Sequence, residues 1–203
     1  MLASNVKERA ERVAHRGGRI MKRLSMILMA TGVFGGVAIA GPFAHLMRAE
    51  LALKQATSWH VTEQLPGGKT FNMDYSAPNR WRVEPAPNIT EVIIGSNVYM
   101  VTAGHVMQLP PTYAAMIART VHIHMFDAAD RAVVRSTLRD LGTQTLAGKP
   151  VHVYRYALHG ITQTWYIGAG HLPVQAILSG SKGREVVQYS RFGVPVSIEP
   201  PQG

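Results

Sequence analysis

From Ser58 onward the chain is a succession of short segments in which apolar and polar residues alternate, most of them ended by a glycine-bearing turn of a few residues. Trp59 and Val61 alternate with His60, "PGGK" follows, and Phe71, Met73 and Tyr75 alternate with Asn72 and Asp74. After Ala77-Pro78-Asn79, Trp81 and Val83 alternate with Arg80 and Arg82. "EVIIGSNVYMVTAGHVMQL" continues the series, with turns at Gly95-Ser96-Asn97 and Ala103-Gly104. A second series runs through "TQTLAGKPVHVYRYAL", "ITQTWYIGAGHLPVQAILSG" and "SKGREVVQYSRFG", with turns at Gly148-Lys149-Pro150 and Gly168-Ala169-Gly170. A period of two marks a strand with one buried face. Turns this short exclude parallel pairing, which needs a crossover of about a dozen residues. The chain is therefore predicted to form an antiparallel meander of about nine strands.

The closing stretch, "YSRFGVPVSIEPP", places Val194, Val196 and Ile198 in alternation with Pro195, Ser197 and Glu199. Proline donates nothing to a sheet ladder, so this reads as an edge strand whose apolar side faces inward. Two segments break the pattern. "GPFAHLMRAELALKQA" (41–56) carries Leu46, Leu51 and Leu53 among alanines and charges and reads as a short amphipathic helix. "DAADRAVVRSTLRDLG" offers Asp127 or Asp130 as N-cap and Gly142 as terminator, with Val134, Leu138 and Leu141 as one apolar stripe over a helix at 128–141. "TYAAMIARTVHIHMF" fits a helix near 114–118 and a strand at 121–126. A strongly bent sheet of this size has an inner face that must be covered. The predicted fold class is α+β: a strongly curved, half-open antiparallel β-barrel with a helical lid or plug.

Net charge is +9, but seven of the basic residues, with only Glu8 and Glu11 against them, lie in residues 1–40. The rest carries +4, scattered rather than striped, which removes the main support for nucleic-acid binding. The excess belongs to an address. From Met21, Lys22-Arg23 precedes an uncharged run from Leu24 to Ala40 that ends in Ala38-Ile39-Ala40, the three-part layout of a secretory signal. The chain accordingly divides into 1–20, an extension ahead of a start at Met21, 21–40, a leader, and 41–203, the working domain. Cleavage near Ala40 would leave an exported or periplasmic protein. The alternative is a retained anchor in the inner membrane formed by residues 24–40. With no cysteine, disulfides and thiolate metal sites are excluded.

Chemical motifs are few. Gly67-Gly68-Lys69-Thr70 imitates the end of a phosphate loop, but Glu63 stands where the first glycine belongs, so a hairpin turn is the reading. No G-x-S-x-G is present, and Ser179 and Ser181 in "LSGSKG" read as turn residues. His122 and His124 share one face of a strand; a third ligand would have to come from His60, His105, His152 or a carboxylate. Neither a metal nor a cofactor is expected, and a histidine metalloenzyme is the weakest of three functional readings.

The ordered set "PNRWRV", "IIGSNVYMV", a helix ending "LRDLG", "LAGKPVHVY", "TWYIGAGHLPVQA" and the closing "YSRFGVPVSIEPP" resembles the LolA-like periplasmic lipoprotein-carrier superfamily and its mycobacterial lipid-carrier relatives, over about residues 47–201. The resemblance implies a half-open barrel with a helical lid and a hydrophobic cavity for acyl chains, and a noncatalytic role in ferrying or sensing lipids or lipoproteins. On that reading Trp59, Phe71, Met73, Trp81, Val83, Tyr99, Tyr154, Trp165, Val194, Val196 and Ile198 line the cavity, and Val134, Leu138 and Leu141 face it from the lid. Tyr156 and Met100 are further wall candidates. The expected partners are acyl chains of a lipid or lipoprotein and a membrane-associated delivery partner. A membrane-anchored protein-interaction or signalling module is the second reading.

Overall fold

The computed structural model describes residues 41–110, 112 and 126–202. The expected extension and leader at 1–40, most of the ambiguous 112–126 stretch, and the His122/His124 pair lie outside the described residues. Helix α1 (Pro42–Gln55) opens on Pro42, whose fixed φ suits a first helical turn. Six strands follow as β1 (Ser58–Gln64), β2 (Thr70–Ser76), β3 (Arg80–Ala86), β4 (Ile89–Ile94), β5 (Asn97–Thr102) and β6 (His105–Gln108). Helix α2 (Ala128–Thr137) precedes β7 (Arg139–Leu146), β8 (Lys149–Leu158), β9 (Ile161–Ile167), β10 (Pro173–Gly180) and β11 (Gly183–Ser190).

All eleven strands belong to one antiparallel sheet, ordered β6-β5-β4-β3-β2-β1-β11-β10-β9-β8-β7. Each neighbour is the next strand in sequence except at the centre, where β1 pairs with β11 and joins the two meanders. Among the described residues the free edges are β6 and β7, so the sheet is open, as expected, with two strands more than the predicted nine. Tight turns come from paired positive φ angles, as at Ala147-Gly148 and His159-Gly160, the backbone that matches strand twist in a two-residue hairpin. Lys149 and Pro150 thus open β8 rather than forming the turn.

Laid flat, eleven strands would span about 48 Å, far more than one helix could cover. Yet a single buried cluster contains Val98 of β5, Tyr154 and Leu158 of β8, and Leu46, Ala49 and Leu53 of α1. The inward faces of both meanders therefore share one core with α1 and with Val134 of α2, on one side of an open, curved sheet. The helix presents Leu46, Ala49 and Leu53 inward, whereas Leu51, which the sequence grouped with them, is exposed.

Helix α2 is capped by Asp127, whose side chain accepts from the Asp130 amide at 2.7 Å. It stops at Thr137, short of Gly142. The Thr137 hydroxyl donates to the Ala157 carbonyl at 3.0 Å and accepts from the Ala157 amide at 3.2 Å. This bond to β8 draws the chain into the sheet as β7, and Gly142 falls in a bulge between Asp140 and Thr143. Of the predicted stripe, Val134 is 0% exposed, Leu138 is half-buried against the core, and Leu141 is an exposed strand residue.

The tail departs most from expectation. Residues 191–202 form no ladder. Instead, Ser58 Oγ donates to the Val194 carbonyl at 2.6 Å, Arg80 Nη1 to the Ile198 carbonyl at 2.7 Å and Arg82 Nη2 to the Ser197 carbonyl at 3.1 Å, with Arg80 also 3.0 Å from Glu199 Oε2. Arg80 and Arg82 alternate with the inward Trp81 and Val83, so the tail straps the outer face of the sheet. Val194 is 48% exposed, Val196 half-buried and Ile198 1% exposed. Ile198→Asp is expected to cost about 3 kcal/mol, because a charge enters a closed apolar seat. Val194→Asp should cost within about 0.5 kcal/mol. Urea unfolding of the two variants checks this, and equal losses would contradict the strap.

Candidate functional site: the concave face

Register carries the alternation of each strand across the whole sheet. Residues directly opposite in an antiparallel pair share a face, so pairing defines rows. One row runs Trp59, Tyr75, Trp81, Ile93 and Val98 across β1 to β5. The next runs Tyr189, Val61, Met73, Val83, Glu91, Met100 and Met107 from β11 to β6. Both lie on the concave side with α1.

Rings dominate the centre. Trp59 lies 5.2 Å from Tyr75 and 5.3 Å from Trp81 between ring centroids, and Tyr75 and Trp81 are 4.6 Å apart. Tyr189 links this group to Trp165 by a stacked contact at 6.1 Å and to Phe192 at 6.5 Å. Tilted and edge contacts of this kind suit the ring quadrupoles and add to plain burial. Of the predicted lining residues, Trp59, Phe71, Met73, Trp81, Val83, Tyr154 and Trp165 come together here, all within the one buried cluster.

Four do not. Tyr99 pairs with Val92 on the opposite face, because Val98 and Met100 take the inward positions of β5. Val194, Val196 and Ile198 belong to the outer strap and are separated from the concavity by the sheet itself.

Polar groups on this face are few. Gln163 Oε1 accepts from Tyr156 Oη at 2.9 Å and from Trp165 Nε1 at 3.1 Å, all three buried. Burial pushes the Tyr156 phenol far above its usual range, and it pushes Tyr189 up likewise, with the nearby Glu63 adding to the shift. Trp59 Nε1 and one oxygen each of Glu50 and Glu91 are buried without a hydrogen-bond partner. Burial raises Glu91 to about 7. Burial also raises Glu50 to about 7, against the Phe126 amide, which donates to Glu50 at 2.9 Å, and against Arg131 and Lys54. Sequence pattern misses Glu63 and Glu91 because a carboxylate on a strand reads as the outward member of an alternation.

A histidine group stands at one end of α1. His45 Nδ1 is 2.7 Å from Tyr154 Oη, and its ring lies 4.6 Å from His171 and 5.5 Å from His152. His152 stacks on Tyr154 and its Nε2 is 2.6 Å from Asp140 Oδ1. Burial, and then the neighbouring His171 and His152, hold His45 below its ordinary value. Burial and then Asp140 raise Tyr154 to about 12. Among the described residues no group of His, Asp or Glu has the arrangement of a metal site. His60 is taken up by Asp74 at 2.7 Å, and His105 is exposed at the β5–β6 turn. Gly67 and Gly68 form the β1–β2 turn, Ser181 the β10–β11 turn, and Ser179 lies in β10.

No protein-family model and no curated protein sequence matches the chain. Solved structures do. The lipoprotein LppX of Mycobacterium tuberculosis superposes with a TM-score of 0.61 at 16% identity, covering 77% of this chain and 97% of that one. LprF of Mycobacterium bovis gives 0.55 at 15% identity, covering 79% and 97%. The chain has the LolA-like fold. A third structure of this fold, in the MucA/MucB complex of Pseudomonas aeruginosa, gives 0.50 at 18% identity over 79% of this chain and 60% of that one. Among the described residues no helix is long and apolar enough to cross a membrane.

Proposed function

We propose that the protein is an exported, noncatalytic carrier or sensor that holds the acyl chains of a lipid or lipoprotein against the concave face. One observation carries this: the aromatic and aliphatic residues of both meanders gather with α1 and Val134 of α2 in one buried cluster on a sheet that does not close among the described residues. Alkyl burial contributes about 0.8 kcal/mol per CH₂, so a long chain is retained strongly and its release is the step that needs control. Helix α1, with a narrow stripe of Leu46, Ala49 and Leu53, and α2, seated through Val134, are the elements whose displacement would uncover the face. Mass spectrometry of the organic extract from gently purified protein tests the reading. A stoichiometric lipid is expected; a clean extract from protein that also takes up no lipid on exposure to mixed vesicles would contradict it.

The leader belongs to the same reading. Cleavage after Ala40 would begin the mature chain at Gly41, directly before Pro42 and the first turn of α1. N-terminal sequencing of exported protein is expected to return Gly-Pro-Phe-Ala, and a membrane-embedded chain beginning at Met1 would contradict both cleavage and a start at Met21.

A second reading, a protein-interaction module anchored in the inner membrane by residues 24–40, is favoured by the occurrence of the fold in MucB bound to MucA. A detergent-requiring full-length form that pulls down one stoichiometric protein and no lipid would select it over the carrier.

A further inference from the structure

Glu91 stands in a row where every other position is apolar or aromatic. Its strand neighbours on the concave face are Val83 and Met100, followed by Met73 on one side and Met107 on the other. The residue is 6% exposed, and its Oε2 has no hydrogen-bond partner. A buried carboxyl left without a partner is costly, whereas an apolar residue of similar size at the same site would be nearly neutral or better. Nothing in the packing of β4 requires a polar group there, since Ile93, two residues along the same face, is fully buried. The row also opens outward: Met107, on β6, the outermost of the described strands on that side, is 40% exposed. A chain entering along this thioether-lined row from the β6 edge would pass Met107 and Met100 before it reached the carboxyl. Flexible methionines adapt to such a guest.

We infer that Glu91 is a binding residue that selects, among alkyl-chain ligands, those carrying a hydrogen-bond donor, a hydroxyl or an amine N–H, at or near the chain end. This rests on the carrier reading and specifies its ligand. A carboxyl held in apolar surroundings accepts from a hydroxyl in either protonation state, and in the ionised state it also pairs with an ammonium group. Above pH 7, where the carboxyl is ionised and only accepts, a ligand that ends in a carboxylate or an ether would leave Oε2 without a donor, and a carboxylate would add repulsion.

The test uses the exported domain above pH 7, with the carboxyl ionised, and three probes of equal chain length: hexadecanol, hexadecylamine and hexadecyl methyl ether. The wild-type protein is expected to bind the alcohol or the amine about ten-fold more tightly than the ether, the discrimination of one buried hydrogen bond. In Glu91→Leu that ratio should fall to near one. Glu91→Gln, which accepts a hydrogen bond but carries no charge, separates the two donors: it should keep a preference for the alcohol and lose one for the amine. Equal binding of all three chains to the wild type, or an unchanged ratio in Glu91→Leu, would overturn the anchor while leaving acyl binding intact. Saturable binding of none of the three would overturn the carrier reading, and the anchor with it.

Discussion

Replacing Trp59 with alanine is expected to cost about 3–5 kcal/mol of folding stability, the range for removing a large buried aromatic. The ring is 1% exposed and touches Tyr75, Trp81 and Tyr189, so it joins the two meanders where β1 meets β11. Trp59→Phe should behave differently. It keeps an aromatic ring in the same seat and removes an indole N–H that has no partner, so its cost should stay below about 1.5 kcal/mol. Urea unfolding at neutral pH measures both. Similar losses from the two variants would mean that Nε1 is bonded and that ring packing is not what joins the halves.

Glu91 should make the domain less stable as pH rises from 4.5 to about 7. Its carboxyl has an ordinary value of 4.5 and is raised to about 7 by burial. Below 4.5 both the folded and the unfolded chain hold the proton. Between the two values only the folded chain holds it, so stability declines with rising pH, and above about 7 the decline ends. The full loss corresponds to about 3 kcal/mol. Glu50 acts in the same sense over the same window. His45 opposes them: its depressed value gives stability that is present above 6.5 and lost as pH falls through its folded value. The contribution of Glu91 is therefore read as the difference between wild type and Glu91→Gln, whose profile should be flatter from pH 4.5 to 7. Parallel profiles would show that the carboxyl is hydrated in the folded protein.

The meander was legible because period-two patterning and short glycine turns are local properties. They placed Trp59, Phe71, Met73, Trp81 and Val83 on one face, where the structure has them. Reading failed where the deciding partner is distant in sequence. Thr137 ends its helix by bonding to Ala157, and no feature of "VVRSTLRDLG" announces that bond. The "VPVSI" alternation looks like a strand, but Pro195 offers no donor and the segment's carbonyls are taken by Arg80 and Arg82, more than a hundred residues earlier. Tyr99 was misplaced for a local reason. "NVYMV" has apolar or aromatic residues at four consecutive positions, so its pattern does not fix which of them face inward, and pairing with β4 decides. The two buried carboxylates on the concave face, Glu63 and Glu91, were invisible for the complementary reason that charge on a strand is ordinarily read as outward.

All three tryptophans of the chain, Trp59, Trp81 and Trp165, lie on the concave face within the buried cluster. Fluorescence excited selectively at tryptophan therefore reports on that face. Titration with hexadecanol brominated at its chain end measures the central claim most directly, since bromine quenches an indole only at near contact. Saturable quenching that is reversed by unlabelled hexadecanol is the predicted result. Fluorescence unchanged up to the solubility limit of the probe, from folded and lipid-free protein, would contradict an acyl-binding concave face.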